Sequence, residues 1–384
     1  MRFEFATAPR IIFGPGSLRE VGQIARDLGQ RALVVTGRDA GRADRLIACL
    51  KEYGVAVVTF SVFREPEVST IEQAVTLAKS RQCDLVLSIG GGSAIDSGKA
   101  VAAMLANEGK LIDYLEVIGA GKALSKPSIP FIAIPTTAGT GSEVTRNAVL
   151  ASAEHRVKVS LRSAFMLPKV ALVDPELTYD LPPALTASTG MDALTQLIEP
   201  YVCSRANPMV DALCLEGMRR AARSLPIAFE TASHAAARED MAVASLFGGV
   251  ALANAGLGAV HGFAGPIGGM FPAPHGAVCA ALLPHVMEVN LRALRERAPG
   301  NEALARYDEI ARVLTGNPDA EAAAGLEFVS RLIANLKIAP LGKYGLTCEH
   351  TAELAERASK ASSMKANPIA LTTEELSEVL DRAL

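Results

Sequence analysis

The 384-residue chain contains no tryptophan, and only 5% of its residues are aromatic. Its core therefore has to be built from Ala, Val, Leu and Ile. It has no cysteine framework either. The six cysteines, Cys49, Cys83, Cys203, Cys214, Cys279 and Cys348, form no CxxC pair, and their density is far below that of a disulfide scaffold. No long run of one charge occurs: 38 Lys+Arg against 41 Asp+Glu leave a formal net charge of −3. The basic stripe that duplex binding uses is missing, so nucleic acid is not an expected partner. The opening MRFEFATAPR has no apolar h-region, so no secretory signal is expected and a reduced cytoplasm fits. Hydrophobic residues at 49% and charged residues at 21% exclude a disordered chain.

One apolar stretch is long enough to span a bilayer: Met241–Val260, whose only polar members are Ser245 and Asn254. It is rich in Ala and Gly, follows Glu239-Asp240 and has no flanking Lys/Arg cluster, so a helix buried in a helical domain is expected instead of a membrane contact.

The first half alternates strand-like and helix-like patterns. RALVVT (31–36), VAVVTF (55–60), DLVLSIG (84–90), FIAIP (131–135) and VALVD (170–174) read as strands, and 17–28, 42–53, 70–80 and 93–105 as helices. Such alternation predicts a mostly parallel sheet wound with helices, with ligands beyond the carboxyl ends of the strands. After Asp174 the pattern changes. Segments 184–202, 208–225, 238–256, 285–294, 302–314 and 321–336 read as helices, with a Pro/Gly-interrupted stretch over 256–276. The expected organisation is an α/β N-terminal dinucleotide-binding domain over 1–180 and an all-α C-terminal domain over 181–384.

Two loops in the first half suit a polar ligand. In SIGGGSAIDSGK (88–99) a strand runs into three glycines and a helix starting near Ser93. Glycines admit close backbone approach, and the helix N-terminus favours an anion. The loop is neither a Walker A motif, because Ser93 and Ala100 stand at its Gly and Ser/Thr positions, nor GxGxxG, because Ile95 replaces the last Gly. In PTTAGTGSEVT (135–145) four Thr hydroxyls, a Ser hydroxyl and two glycines follow FIAIP directly.

The second half holds candidate metal ligands. Asp192 lies in TGMDALTQ with Gln196 four residues on, hence on one helix face. His261 and His275 lie in GLGAVHGFAG and FPAPHGAV. One carboxylate and two imidazoles can form a three-ligand site with an open position; by spacing alone, the histidines could equally be ordinary polar packing. His155, His234 and His350 read as solvated, and His285 as a helix start.

Together IIFGPGS, GGGSAIDSGKA, IPTTAGTGSEVT, VALVDPELTYDLPP, TGMDAL, PHGAVCAALLPHV and MKANP resemble the iron-containing (group III) alcohol dehydrogenases, a superfamily that includes glycerol dehydrogenase and dehydroquinate synthase. The resemblance implies an NAD(P)-dependent enzyme that moves hydride between nicotinamide and a small alcohol or aldehyde, assisted by a divalent metal (Fe2+ or Zn2+) and assembled as a homodimer or larger homo-oligomer. It implies that Gly91, Gly92 and Ser93 hold the pyrophosphate, with Asp96 and Lys99 on the following helix. It places Thr136, Thr137, Thr140, Thr145 and Lys158 near nicotinamide and ribose. Asp192, His261 and His275 match three of the family's four metal ligands and carry the catalysis. The chain departs from the family at Gln196, where a fourth ligand His is usual, and at Gly265, where a His assigned to proton relay or substrate contact is usual. Gln is a poor transition-metal ligand, so the set is closer to the three-ligand site of glycerol dehydrogenase.

Where NAD-preferring members carry Asp after the strand's last Thr, this chain has Gly37, then Arg38, Asp39 and Arg42. Losing an acid and gaining guanidinium favours the 2′-phosphate of NADP. Asp39 reaching the ribose of NAD is the alternative. Three other activities are compatible with the scaffold: a metal-independent reductase like maleylacetate reductase, a dehydroquinate-synthase-like lyase, and a catalytically silent nucleotide-binding protein. The lyase is disfavoured because its Asp192 equivalent is Glu.

Overall fold

The computed structural model describes residues 2–152, 154–155 and 157–384. They form two compact units. One comprises Ala6–Thr137 and Gly141–Thr178, the other Met1–Phe5, Ala138–Thr140 and Tyr179–Leu384.

The first unit is α/β. Its elements are β1 (Ile11–Phe13), α1 (Val21–Leu28), β2 (Arg31–Thr36), α2 (Asp44–Glu52), β3 (Ala56–Ser61), α3 (Val68–Ser80), β4 (Leu85–Gly90), α4 (Gly92–Ala106), α5 (Leu111–Tyr114), β5 (Phe131–Pro135), β6 (Asn147–Ser152), β7 (Val157–Arg162) and β8 (Val170–Val173). Six strands make a sheet in the order β1-β8-β5-β4-β2-β3, and every pairing in it is parallel. The central strands are buried on both faces, which is why they read as unbroken apolar runs. Separate apolar clusters cover the two faces. The β6–β7 antiparallel hairpin and the short β1 lie outside the strands expected from the sequence, although VKVSLR in β7 alternates apolar and polar residues throughout.

The helix α4 fixes the carboxyl ends of the central strands. Ser88 Oγ donates to Ala94 O at 2.9 Å, and a Cβ on Gly98 would lie 2.0 Å from Ser88 Oγ and 2.7 Å from the Phe131 ring. Only glycine lets the helix lie this close to β4 and β5. Next to it, the wholly buried Lys99 ammonium donates to Ser142 O (2.9 Å), Thr145 Oγ1 (2.8 Å) and Asn147 O (2.5 Å) and pairs with Asp96 (3.1 Å). Asp96 in turn accepts from Ser142 Oγ and from the Val149 amide. A buried ammonium needs such acceptors, and meeting that need ties α4 to the segment that follows β5.

The second unit is helical: α6 (Pro183–Val202), α7 (Pro208–Glu230), α8 (Ala235–Asn254), α9 (Ala259–Met270), α10 (His275–Arg297), α11 (Ala303–Thr315), α12 (Ala322–Asn335), α13 (Thr351–Ser359) and α14 (Thr373–Ala383). Small residues set its spacings. A Cβ on Gly190 would meet Leu225 at 2.2 Å, one on Gly217 would meet Leu197 at 2.6 Å, and one on Gly276 would stand 2.1 Å from Ser188 O. The apolar stretch 241–260 is broken by a 97° bend between α8 and α9. α10 is long and apolar enough to cross a membrane, but 83% of that span is buried within the protein.

Prolines account for the main departures from the expected helices. Pro200, Pro226, Pro266 and Pro284 all lie inside helices. The 256–276 stretch contains a full helix, α9, and α10 begins at His275, well before the expected start at His285. His285 is thus a mid-helix residue, not a helix start. An internal proline costs about 3 kcal/mol, a sum that apolar burial along these helices offsets.

Glu143, 2% exposed, lies in the Lys99-bound segment. Burial pushes its carboxyl up to about 7, against a backbone hydrogen bond and the Lys99 charge. Between its unfolded value of 4.5 and about 7 the native state holds the proton more tightly, so stability from this group is complete at low pH and is lost as pH rises, by about 1.4 kcal/mol per unit. Glu143→Gln should therefore out-stabilise the parent by a margin that grows by about 2–3 kcal/mol from pH 5 to pH 8. A melting-temperature difference that stays flat across that range would contradict it.

Candidate active site

In the helical unit the site is assembled on α6. Asp192 and Glu199 lie seven residues apart on that helix, hence on one face, and both are buried. Glu199 organises the start of α9: its Oε1 accepts from the Val260 amide at 2.7 Å, and its Oε2 lies 2.5 Å from His261 Nδ1. Asn367 Oδ1 caps the Ala259 amide at 3.1 Å, completing a helix start that Gly258 cannot cap itself. A carboxylate on Nδ1 keeps that nitrogen protonated and leaves Nε2 as the donor facing inward. The Gly276–Ser188 approach brings the first turn of α10, with His275, against α6.

The inward faces converge. Asp192 Oδ1 lies 3.4 Å from His261 Nε2 and 3.6 Å from His275 Nε2. Cys279 Sγ lies 3.8 Å and 3.7 Å from the same two nitrogens. All four donor atoms sit within 4.8 Å of one another. Asp192 and His261 side chains are 2% and 7% exposed, whereas His275 keeps 36%, so the cluster opens to solvent along His275. Gln196, one turn from Asp192, is buried; its Nε2 donates to Gly139 O at 3.2 Å.

Protons alone do not satisfy this cluster. Burial opposes ionisation of Asp192, yet His275 and His261 hold its carboxyl below the usual range. Burial also resists charging the imidazoles, but Cys279 and Asp192 push His275 up to about 9, and Cys279, Glu199 and Asp192 push His261 well above its ordinary value. The Cys279 thiol is drawn below its usual value by both rings, against burial. Even so, Asp192 Oδ1 and Gln196 Oε1 are buried without a hydrogen-bond partner. Orphaned oxygens of this kind are costly. An oxygen, two imidazole nitrogens and a sulfur around one point fit a divalent cation.

In the α/β unit three loops meet at the carboxyl ends of β2, β4 and β5. Thr136 donates its amide to Gly90 O at 2.9 Å. A Cβ on Gly90 would lie 3.3 Å from Gly37 N, and one on Gly91 would lie 3.5 Å from the Thr137 side chain. Gly91 is the N-cap of α4 and offers no capping side chain, so the leading amides, at Gly92 and Ser93, are left for an anion. Beyond β2, Gly37 has open space about it. Asp39 is committed to the Gly41 amide at 3.1 Å, and Arg42 leans on Asp39 and on Leu177 O. Arg38 is exposed. Asp96 and Thr145 are engaged with Lys99, and Lys158 pairs with Glu65 at 3.3 Å. Thr140 groups with the helical unit.

Glu199 belongs to the site outside every motif above, and Cys279 lies inside PHGAVCAALLPHV without being among the expected site residues. Each shares a helix face with a residue that a motif does mark: Cys279 is four residues beyond His275, and Glu199 seven beyond Asp192.

The chain matches the model of iron-containing alcohol dehydrogenases over residues 8–175 and that of the C-terminal region of the same family over 186–384. It is 37% identical to alcohol dehydrogenase 4 of Schizosaccharomyces pombe, covering 97% of this chain and 87% of that one. It is 34% identical to the NAD-dependent methanol dehydrogenase of Bacillus methanolicus, covering 99% of each. A crystal structure of 1,3-propanediol oxidoreductase superposes with a TM-score of 0.93 at 34% identity, covering 100% of both chains. These matches make the chain an oxidoreductase acting on CH–OH groups. The chain belongs to the iron-containing alcohol dehydrogenase family.

Glu199→Gln tests the positioning of His261. The amide keeps an acceptor for Val260 but sets a donor against Nδ1–H, driving the imidazole toward the tautomer whose Nε2 cannot ligate. Metal affinity should fall by about 10–100-fold with an unchanged far-UV circular dichroism spectrum. Parent-like affinity in a metal-competition titration would remove the role assigned to Glu199.

Proposed function

We propose that this family member interconverts a small alcohol and its aldehyde, with Asp192, His261 and His275 holding a divalent metal and NADP(H) as the preferred cofactor. The observation that carries it is the buried, unpartnered Asp192 Oδ1 facing two inward imidazole nitrogens.

When bound, the metal supplies Lewis acidity toward the substrate oxygen, and the nicotinamide gives or takes the hydride. The residues prepare both. Glu199 fixes the tautomer and tilt of His261. Exposed along one edge, His275 leaves a way in for substrate. Gly91, Gly92 and Ser93 bind the pyrophosphate through backbone amides, and Thr136 and Thr137 flank it. Asp96 and Thr145 position this loop through Lys99. Arg38, exposed while Asp39 is occupied in a turn, offers its guanidinium to a 2′-phosphate. A Cβ at Gly265 would meet nothing within 4 Å, room that suits a substrate bulkier than ethanol. Gly265 has no side chain to pass a proton, so water or a cofactor hydroxyl does so. A homo-oligomer in the cytoplasm completes the proposal.

Asp192→Ala should lower kcat/KM by at least about 100-fold and strip the metal, measured by elemental analysis of protein purified without chelator, while the fold persists. Near-parental turnover, or a fully active metal-free parent, would instead favour a metal-independent reductase, and cofactor binding with no turnover across an aldehyde panel a silent nucleotide-binding protein. For the cofactor, kcat/KM with NADPH should exceed that with NADH by about tenfold, one charge-assisted contact's worth, and Arg38→Ala should erase the difference. A clear NADH preference in the parent would remove the assignment of Arg38.

A further inference from the structure

The family pattern brings a third imidazole to the metal from the position that Gln196 occupies here. We propose that Cys279 takes over this duty: its thiolate completes an Asp192–His261–His275–Cys279 tetrad that selects Zn2+. The inference rests on the metal-holding role given above to the other three residues.

Distances support it first. For zinc bonds of about 2.0–2.1 Å to nitrogen or oxygen and about 2.3 Å to sulfur, tetrahedral geometry sets donor-to-donor edges of about 3.4 Å (N/O) and about 3.6 Å (N/S). The observed edges are 3.4 and 3.6 Å from Asp192 Oδ1, and 3.8 and 3.7 Å from Cys279 Sγ. A thiol hydrogen bond accounts for the placement less well. Hydrogen bonding accounts for a sulfur almost equidistant from two ring nitrogens only if Sγ accepts from both. It also leaves Asp192 Oδ1 orphaned, whereas a cation shared by all four donors satisfies each of them.

Local structure supports it next. Cys279 follows His275 by one helical turn on α10, so sulfur and imidazole project from one rigid face, and Cys279 is wholly buried. Gln196 spends its amide nitrogen on Gly139 O, and its buried Oε1, a neutral and weak donor beside a thiolate, keeps no partner. Chemistry then chooses the ion. Thiolate is a soft donor that favours zinc, and zinc outranks ferrous iron for mixed donor sets of this kind. Binding releases to solvent the thiol proton and whatever protons the two Nε2 atoms carry, and no electron moves.

The test uses the full chain stripped with a chelator and titrated with Co2+, a spectroscopic substitute for zinc. The parent should show an intense thiolate-to-cobalt charge-transfer band in the near ultraviolet. Cys279→Ser should lose that band and bind Zn2+ at least about tenfold more weakly in competition with a chromophoric chelator. Cobalt binding without a thiolate band, or a band and affinity that survive in Cys279→Ser, would overturn the assignment of Cys279 while leaving the three-residue site standing. No cobalt binding by the parent would overturn both. If Cys279→Ser fails to fold, X-ray absorption of the zinc-loaded parent decides: a sulfur scatterer at about 2.3 Å supports the tetrad, and a shell of nitrogen and oxygen alone refutes it.

Discussion

Glu199 has its two carboxylate oxygens on two different tasks, and the carboxylate–imidazole cluster of the helical unit is arranged around that division. One oxygen terminates a helix that begins in glycine; the other turns an imidazole so that its free lone pair looks away from the carboxylate. Without the first, α9 would start with unsatisfied amides in an apolar interior. Without the second, His261 could present either nitrogen. Because α6 also carries Asp192 two turns earlier, a single rigid helix sets both a donor and the residue that orients another donor.

The remaining geometry follows from close approach. Gly276 lets α10 touch the α6 backbone, which fixes His275 and Cys279 together, since they ride on successive turns. In the α/β unit Gly98 does the same for α4, and Lys99 locks the result by donating to three acceptors that belong to later chain. The two clusters, each within its own unit, are built alike: a glycine sets the distance, and a buried polar group fixes the orientation.

Much of this is legible in the sequence, for identifiable reasons. Parallel strands buried on both faces announce themselves as apolar runs, and three glycines between a strand and a helix mark a close backbone approach that an anion or a plain tight turn would both use. Asp192, His261 and His275 stand out because they occur in motifs. Glu199 lies outside them, and Cys279, though inside PHGAVCAALLPHV, looks like chance until a neighbour is known; helical spacing from Asp192 and His275 is the clue they offer. The helices that differ from expectation share one cause. Proline at 284 and through 256–276 reads locally as a terminator, but local propensity loses to packing there. The β6–β7 hairpin is legible only in part: VKVSLR alternates apolar and polar residues strictly, as a half-buried strand does, whereas its partner NAVLAS has no such period.

The chain passes between its two units four times, at residues 5–6, 137–138, 140–141 and 178–179. The three-residue excursion Ala138–Thr140 is no decoration: Gly139 receives Gln196 and lies so close to Thr189 that a methyl group there would reach 2.7 Å from its Cβ. Neither unit is therefore a contiguous stretch of polypeptide. Proteolysis at any one bond cannot liberate either intact, and a chimera that exchanges halves with a relative by one splice near residue 178 would graft a borrowed tripeptide into the helical partner it was not selected to fit.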